Sequence, residues 1–383
     1  MNSTESRRQF LRQAGLSAAV AALAGPGAVA AVASPLTNTM QNDDKKKLGW
    51  AVVGLGKFAT EQIMPNFKDC KHSKLVALVS GTPDKAKKLA KEYGIDEKSV
   101  YDYQNFDSIK DNPAVDIVYI ILPNSMHAEY TIRAAQAGKH VLCEKPMATS
   151  EEDCKKMIDA CNKAGKKLMI AYRAQYEPYN LDAIARIKKG ELGKIKFITA
   201  DHGRHVKPTE DKADVWRVQK KLAGGGSLMD IGIYSLNAAR YLTGEEPVEV
   251  TAQIYSDPND PRFKEVEDNV AFTLRFPSGA LACCTSSYSY QSVKRGRIFG
   301  EKAWLDLDPI SDYYEHNMKI GKEDGEMEPK IQEGNQFAAE MDHMSESVMQ
   351  NKTPRTPGEE GLRDVRYMMA IYEAAKKGKS VKV

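Results

Sequence analysis

Apolar, β-rich runs alternate with helix-patterned segments through residues 48–172. The runs read LGWAVVGLG (48–56), KLVALVS (74–80), VDIVYIILPN (115–124), HVLCEKP (140–146) and KLMIAYR (167–173). The helical patterns cover 60–70, 83–93, 125–138 and 150–165. Strands that are apolar along their whole length are typical of a parallel sheet with helices on both faces. Because parallel neighbours are joined by right-handed crossovers, the alternation predicts a doubly wound α/β domain over 48–172.

A different pattern begins after Tyr172. Runs that alternate apolar and polar residues are separated by turn sequences such as SDPNDP and PSG. The runs read KIKFITADHG, VEVTAQIYS, NVAFTLRF, ALACCTSSYSY, KRGRIFG and KAWLDLD, and helical patterns cover 178–189, 227–242, 335–351 and 359–377. The alternation predicts a large, mainly antiparallel open sheet with one face solvated or used for subunit contact. We therefore expect a C-terminal α+β domain over 173–383, whose last helix is able to pack back on the first domain.

The charge and the cysteine content exclude several functional classes. The formal net charge is +3, and residues 1–30 contribute +2 of it through three arginines and one glutamate, so the rest of the chain is near neutral. This near-neutral charge argues against a basic surface that would bind a nucleic acid or an anionic membrane. Six cysteines without a C-x-x-C pair, in a chain of 383 residues, argue against a disulfide framework.

The first 33 residues have the layout of an export signal. SRRQFLR at 6–12 places two adjacent arginines before a short apolar run, and both 28–30 and 31–33 fit an A-x-A cleavage site. The pattern predicts a twin-arginine signal peptide over 1–33 and a flexible polar arm over 34–47. Since the twin-arginine route exports proteins that are already folded, we expect a periplasmic protein with its cofactor inside. We expect no membrane association once the signal is cleaved.

The hexapeptide at 54–59 has the spacing of a dinucleotide-binding loop. Its sequence, GLGKFA, is G-x-G-x-x-A, and it directly follows the first predicted strand and opens the first predicted helix. In this context the glycines permit a tight turn and a close approach to a pyrophosphate, which the helix N-terminus then faces. The sequence therefore predicts a Rossmann dinucleotide-binding domain, with cofactor contacts from Gly54, Leu55, Gly56, Lys57 and Phe58.

The end of the second predicted strand distinguishes the two nicotinamide dinucleotides. NAD-dependent enzymes usually place an acidic residue there for the ribose 2′-hydroxyl. This chain has Ser80 and Gly81 at that point, followed by Lys85, so a hydroxyl and a cation stand in place of the acid. A 2′-phosphate suits these groups, and the sequence predicts NADP.

Another strand end carries a lysine. The fourth apolar run ends in Glu144, Lys145 and Pro146. Ligands of such sheets bind outside the carboxyl ends of the strands. We therefore expect Glu144 and Lys145 beside the nicotinamide, with Lys145 as a catalytic candidate.

Four segments in combination carry a family resemblance. They are GLGKFA (54–59), LPNSMHAE (122–129), CEKPMA (143–148) and AGGGSLMDIGIYSLNAARYL (223–242). Together they resemble the Gfo/Idh/MocA oxidoreductases, and the resemblance extends from Leu48 to the C-terminus. Many members carry D-x-G-x-H in the last segment. This chain has Tyr234 at the histidine position, as in the glucose–fructose oxidoreductases of that family.

The resemblance implies a catalytic group of Lys145, Asp230 and Tyr234, which would also meet the substrate. Oxidation of a sugar hydroxyl needs a proton acceptor and a hydride acceptor at one carbon. A tyrosine hydroxyl accepts a proton near neutral pH only where a cation stabilises the phenolate, and Lys145 is the candidate cation. Asp230 precedes Tyr234 by four residues on one helix face, where it could orient Lys145 or a sugar hydroxyl.

The resemblance also implies further residues at the cofactor and the sugar. Expected at the cofactor are Tyr103, Leu122, Pro123, Asn124, His127, Arg173, Trp216 and Arg217, and expected at the substrate is Tyr176. The histidines of DHGRH at 201–205 are interpreted as solvated residues at a strand end. No metal site is expected, since nothing else in the sequence completes a ligand set.

The function that the resemblance implies is an exported sugar oxidoreductase that holds NADP tightly and recycles it between two small-molecule sugars. An aldose such as glucose would leave as a lactone, and fructose or another aldose would leave as a polyol, in ping-pong order. An NADP-dependent dehydrogenase that releases its cofactor, an NAD-dependent glycosidase and a non-catalytic sensor stay open as alternatives. The open sheet implies a homodimer or a homotetramer.

Overall fold

The computed structural model describes residues 47–383. The predicted signal peptide over 1–33, and the predicted arm except for Lys47, lie outside the described residues. Within 47–383, no helix combines the length and the apolar character that crossing a membrane requires.

The N-terminal sheet has six parallel strands in the order β3-β2-β1-β4-β5-β6. They are β1 Leu48–Val53, β2 Ser73–Val79, β3 Val100–Tyr101, β4 Ile117–Ile120, β5 His140–Glu144 and β6 Leu168–Ala171. The connecting helices are α1 Pro83–Tyr93, α2 His127–Gln136 and α3 Glu151–Lys163. The central strands are buried on both faces, as their continuous apolar sequences predict. The predicted α/β class with a Rossmann-like sheet is confirmed.

The connection after β1 is not the single α-helix that its sequence pattern predicts. A π-type turn, Ala59–Ile63, runs into a 3₁₀-helix, Met64–Asp69. Pro65 has no backbone N–H, so it cannot donate the bond that a continuous α-helix would need at that position.

Gly54 fixes where β1 stops and the nucleotide loop begins. Its φ is +91°, and a Cβ atom there would lie 2.1 Å from the carbonyl oxygen of Ile121, which follows β4. Glycine alone tolerates both the left-handed backbone and this close approach. The turn therefore leaves the sheet at the boundary between β1 and β4, where the strand order reverses.

The second sheet has nine strands in the order β14-β13-β12-β11-β7-β10-β9-β8-β15. They are β7 Ile195–Gly203, β8 Glu249–Tyr255, β9 Asn269–Arg275, β10 Leu281–Ser287, β11 Val293–Gly300, β12 Trp304–Leu307, β13 Met318–Lys322, β14 Gly325–Met327 and β15 Val381–Lys382. All neighbours are antiparallel except β7 and β10. The helices α4 Pro178–Lys188 and α5 Ile233–Thr243 complete this part, with a π-type turn at Leu228–Gly232 leading into α5. The predicted mainly antiparallel sheet is confirmed.

The last two helices, α6 Gln336–Met349 and α7 Gly358–Lys377, both contact the first domain. Asp342 of α6 accepts hydrogen bonds from the backbone nitrogens of Lys71, at 2.6 Å, and His72, at 2.9 Å. In α7, a Cβ at Gly361 would lie 2.7 Å from Met147 and 2.9 Å from Ile170, so this helix packs tightly behind β6. The C-terminal helices thus join the two domains.

Candidate active site

A cavity of about 1050 Å³ lies between the carboxyl ends of the parallel strands and the part of the second sheet formed by β7 and β11. All of the predicted site residues line this cavity except His127 and Tyr176. One end, which we call the nucleotide end, is formed by 54–58 and 80–85. The other, which we call the chemical end, holds Lys145, Asp230 and Tyr234.

The nucleotide end provides an open backbone surface. A Cβ at Gly56 would meet no atom within 4 Å, so this glycine faces open space inside the cavity. The backbone can therefore approach a bound pyrophosphate closely. Gly81 has a different function, since a Cβ there would lie 2.9 Å from the Tyr103 ring, which packs directly on its backbone.

Ser80 and Lys85 face this end as the NADP prediction requires. The Ser80 hydroxyl accepts from the backbone nitrogen of Thr82 at 3.1 Å, and the Lys85 ammonium donates to the carbonyl oxygen of Leu55. Asp84, the acid nearest in sequence, does not line the cavity. A hydroxyl and a cation without an opposing carboxylate fit a 2′-phosphate.

Lys145 connects the two domains at the chemical end. It follows β5 directly, and its ammonium donates to the backbone carbonyl oxygen of Asp230 at 2.7 Å. The same nitrogen lies 3.7 Å from the Asp230 carboxylate and 4.6 Å from the centroid of the Tyr234 ring. Lys145 therefore contacts both of the residues that the resemblance groups with it.

Asp230 is held in its ionised form by several cations. Its carboxylate accepts from Arg217 Nε at 3.1 Å, and Arg204 Nη1 lies 3.8 Å away. Burial opposes ionisation, but the charges of Arg217 and Lys145 outweigh it and hold the pKa of Asp230 below its usual range. Asp230 is thus ionised at neutral pH, where it orients Lys145 and Arg217.

Arg173 supplies a second cation to Tyr234. It is buried and donates to Gln336 Oε1 at 2.7 Å and to the carbonyl oxygen of Asp312 at 2.8 Å. Its guanidinium carbon lies 5.1 Å from the centroid of the Tyr234 ring. Both acceptors are neutral, so neither of them balances the positive charge that Arg173 places beside the Tyr234 ring.

The interpretation of the DHGRH histidines is wrong for His202. This residue is 2 % exposed and lines the cavity, because β7 alternates and His202 points from the sheet towards α5. His205 is exposed, as expected. In residues 47–383, no group of three or more His, Cys, Asp or Glu side chains has the arrangement of a metal site.

His127 and Tyr176 do not line the cavity, although the resemblance places them at the cofactor and at the substrate. The two ring nitrogens of His127 lie 2.8 Å from the carbonyl oxygens of Pro146 and Leu122, so this residue ties the ends of two strands together from behind. Tyr176 is buried against Thr356, with a separation of 3.3 Å between the two hydroxyl oxygens. Sequence spacing does not reveal whether a side chain of a connecting segment points into the cavity or into the core, and here both point into the core.

The sequence reasoning missed the residues that the second domain adds to the chemical end. They include His202, Arg204, Asp214, Lys294, Ser311 and Tyr313. Of these residues, only His202 and Arg204 belong to a segment, DHGRH, whose histidines are conspicuous in the sequence. The others come from a connecting segment, a strand and a loop, and they meet only through the pairing of β7 with β11.

Two family models together match most of the chain. Residues 48–172 match the model described as an oxidoreductase family with an NAD-binding Rossmann fold, and residues 184–383 match the C-terminal alpha/beta domain of the same family. The chain belongs to the Gfo/Idh/MocA family of oxidoreductases. The resemblance stated from the four sequence segments is confirmed.

Three relatives carry the names of sugar oxidoreductases or sugar dehydrogenases. A solved structure of an aldose–aldose oxidoreductase from Caulobacter crescentus, complexed with glycerol, is 50% identical with a TM-score of 0.85, and the match covers 88% of this chain and 100% of that one. A D-xylose 1-dehydrogenase [NADP(+)] of Haloarcula marismortui is 30% identical over 87% of this chain and 92% of the relative. A D-glucoside 3-dehydrogenase of Escherichia coli K12 is 28% identical over 87% of this chain and 97% of the relative.

Proposed function

We propose that this protein is an NADP-dependent sugar oxidoreductase that couples oxidation of an aldose to reduction of a second sugar. The aldose, for example glucose, would leave as a lactone. The acceptor, which is either fructose or a second aldose, would leave as a polyol. The observation that carries the proposal is the contact of Lys145, Asp230 and Tyr234 at one end of the cavity, with the glycine loop at the other. The aldose–aldose oxidoreductase at 50% identity supports the choice of substrates.

NADP would be held at the nucleotide end by Gly54, Gly56, Ser80 and Lys85, and when bound it supplies a site that accepts and returns a hydride. The residues fit it, because Gly56 leaves open space for a pyrophosphate and Ser80 and Lys85 suit a 2′-phosphate. The relative named as NADP-dependent supports this choice over NAD.

Tyr234 would move the proton. Its ring lies beside Lys145 and Arg173, whose charges stabilise a phenolate as it takes the proton of the sugar's C1 hydroxyl. When the second sugar occupies the site, the same hydroxyl returns that proton to the carbonyl oxygen of the acceptor. One residue serves both half-reactions, so no proton need be exchanged with solvent between them.

Lys145 would orient the sugar hydroxyl. One of its N–H bonds is used on the carbonyl oxygen of Asp230, which leaves donors directed at the cavity. Asp230 in turn holds Lys145 and Arg217, so the hydroxyl of the sugar meets a cation of fixed position. Orientation of this kind lowers the barrier without a covalent intermediate.

Export and tight retention of the cofactor form part of the proposal. The twin-arginine pattern over 1–33 supports a periplasmic location, where no pool of free NADP would replenish the enzyme. An enzyme there must keep its cofactor and regenerate it within one site, which is the reason for ping-pong order. The arm over 34–47 is the candidate segment for restraining the cofactor.

The open face of the nine-stranded sheet is the proposed contact between subunits. It carries the exposed side chains of Tyr255 and Leu281, at 64% and 42% exposure, and the half-buried Cys283. An apolar surface of this kind favours a homodimer or a homotetramer. Light scattering of the purified protein, compared with Tyr255→Lys, tests this, and a wild-type monomer would contradict it.

The first experiment is an absorbance spectrum of the purified, desalted full-length protein before and after glucose is added, with no cofactor supplied. We expect a dihydronicotinamide band that appears with glucose and disappears when fructose or another sugar follows. A band that appears only after NADP is added would favour the second candidate, a dehydrogenase that releases its cofactor, as the name of the D-xylose 1-dehydrogenase relative suggests. No band under either condition would contradict both.

A further inference from the structure

The imidazole of His202 packs flat on the ring of Tyr234. The two ring centroids are 5.5 Å apart and the ring planes differ by 19°. His202 belongs to β7 and Tyr234 to α5, so the contact spans a strand and a helix of the second domain. Of the residues that contact the Tyr234 ring, Lys145 and Arg173 are cations, whereas His202 offers a flat surface.

Two serine hydroxyls hold the imidazole in place. Nδ1 lies 2.7 Å from Ser235 Oγ and Nε2 lies 2.7 Å from Ser311 Oγ. Ser235 is the neighbour of Tyr234 on α5. The backbone carbonyl oxygen of Ser311 accepts a hydrogen bond from Arg173. The imidazole is therefore fixed to the same two segments that position Tyr234 and Arg173.

The hydrogen bonds occupy both nitrogens of the imidazole. Nδ1 faces the Ser235 hydroxyl, which also lies 3.2 Å from the carbonyl oxygen of Thr285, and Nε2 faces the Ser311 hydroxyl. Since each nitrogen is paired with a serine, neither is left to take a proton from a sugar.

The surrounding charges keep this imidazole neutral. Burial lowers the pKa of His202 to about 3, and the positive charges of Lys294, Arg173 and Lys145 act in the same direction. Tyr234 faces it from α5, and the serines that bond it carry no charge. His202 therefore does not titrate in the pH range where a sugar oxidoreductase works.

We propose that His202 is a positioning residue for the reaction, a neutral surface that fixes the plane of the Tyr234 ring so that its hydroxyl points at the sugar. The proposal rests on the proton-transfer function proposed above for Tyr234. A phenol side chain can otherwise rotate about its two torsions, and a small misplacement of a reacting group is costly in rate. The ring is held on one side by His202 and approached by Lys145 and Arg173.

The test compares His202→Ala with His202→Phe in the full-length enzyme, with kcat and KM measured for aldose oxidation. We expect His202→Ala to lower kcat by about 100-fold with little change in KM, because the proton-transfer geometry is lost while the sugar contacts remain. His202→Phe restores a flat ring without hydrogen bonds, and we expect it to recover roughly tenfold of that loss.

A third variant and a matched control separate positioning from folding. Ser311→Ala keeps the imidazole and removes one anchor, and we expect kcat to fall by about threefold to tenfold. His343→Ala removes another histidine that packs on a tyrosine, since its ring lies 5.3 Å from that of Tyr176, outside the cavity. We expect this control to lower the melting temperature and leave kcat unchanged.

Two results would overturn the inference while the proposed function stands. One is a His202→Ala enzyme with normal kcat, when Tyr234→Phe is inactive. The other is a His202→Phe enzyme no faster than His202→Ala, which would mean that the flat ring has no effect. If Tyr234→Phe itself retains normal kcat, the function proposed for Tyr234 fails and the inference fails with it.

Discussion

The two ends of the cavity are built in different ways. The nucleotide end comes from two short contiguous segments, 54–58 and 80–85, and much of its contribution is backbone. The chemical end comes from the residues that follow β5, from β7, from α5 and from the loop at Ser311, and its contribution is mainly side chains. The nucleotide end therefore leaves a motif that is readable from the residues themselves, whereas Lys145, Asp230 and Tyr234 of the chemical end were predicted through the family resemblance.

The comparison predicts that single side chains matter most at the chemical end. Tyr234→Phe removes one oxygen atom, and we expect kcat to fall by about 10²–10⁴-fold, because the group that takes and returns the proton is gone. The cofactor should remain bound, since no nucleotide contact is altered. Steady-state rates and the absorbance of the desalted protein measure the two effects, with Tyr93→Phe, outside the cavity, as control.

Asp230→Asn tests whether the charges of the chemical end also stabilise the fold. We expect the free energy of unfolding at pH 7 to fall by about 3–5 kcal/mol, because Lys145 and Arg217 lose the carboxylate that balances their buried charges. Because the folded pKa of Asp230 is depressed, the stabilisation is complete above the unfolded pKa of about 4 and is lost as the pH falls below it.

Urea unfolding at pH 7 and pH 3 measures this prediction. The difference between the wild type and Asp230→Asn should narrow at the lower pH. Asp107→Asn, which removes an exposed carboxylate bonded to Arg133, should change stability by less than about 1 kcal/mol at either pH. If Asp230→Asn and Asp107→Asn lower the free energy of unfolding equally, the buried cluster adds no more stability than the exposed ion pair.

At the nucleotide end, a change of charge should alter cofactor choice more than it alters the fold. For the double variant Ser80→Asp, Lys85→Ala, we expect the preference for NADP over NAD to fall by about 10–100-fold, since a charged hydrogen bond to a 2′-phosphate is lost and a carboxylate replaces it. Fluorescence titration of both cofactors measures the ratio. Lys87→Ala, on the same helix but outside the cavity, should leave it unchanged.

The two loop glycines should separate binding from stability. Gly56→Ala puts a methyl group into open space, so we expect the free energy of unfolding to stay within about 0.5 kcal/mol while cofactor affinity falls. Gly54→Ala forces a side chain onto a left-handed backbone beside Ile121, and we expect a loss of about 1–3 kcal/mol or more. Thermal unfolding of the two variants without added cofactor distinguishes them. Similar unfolding midpoints would contradict the assignment of Gly54 to stability and of Gly56 to cofactor binding.

The sequence by itself predicted the architecture and the nucleotide end. Continuous apolar strands allow few arrangements other than a covered parallel sheet, and alternating strands predict a sheet with one open face. GLGKFA and Ser80-Gly81 are local motifs, so their positions relative to the strands follow from the chain itself. The family resemblance added Lys145, Asp230 and Tyr234, which the structure brings together.

Only the tertiary structure decided the surroundings of Tyr234. The sequence pattern suggested solvated histidines in DHGRH, but the pairing of β7 with β10 and β11 buries His202 against α5. The reverse happened at His127 and Tyr176, which the resemblance places at the ligands and which point into the core. The physical reason is the same in both cases. Whether a polar side chain meets solvent, core or ligand depends on which distant segment packs over it, and local sequence carries no record of that packing.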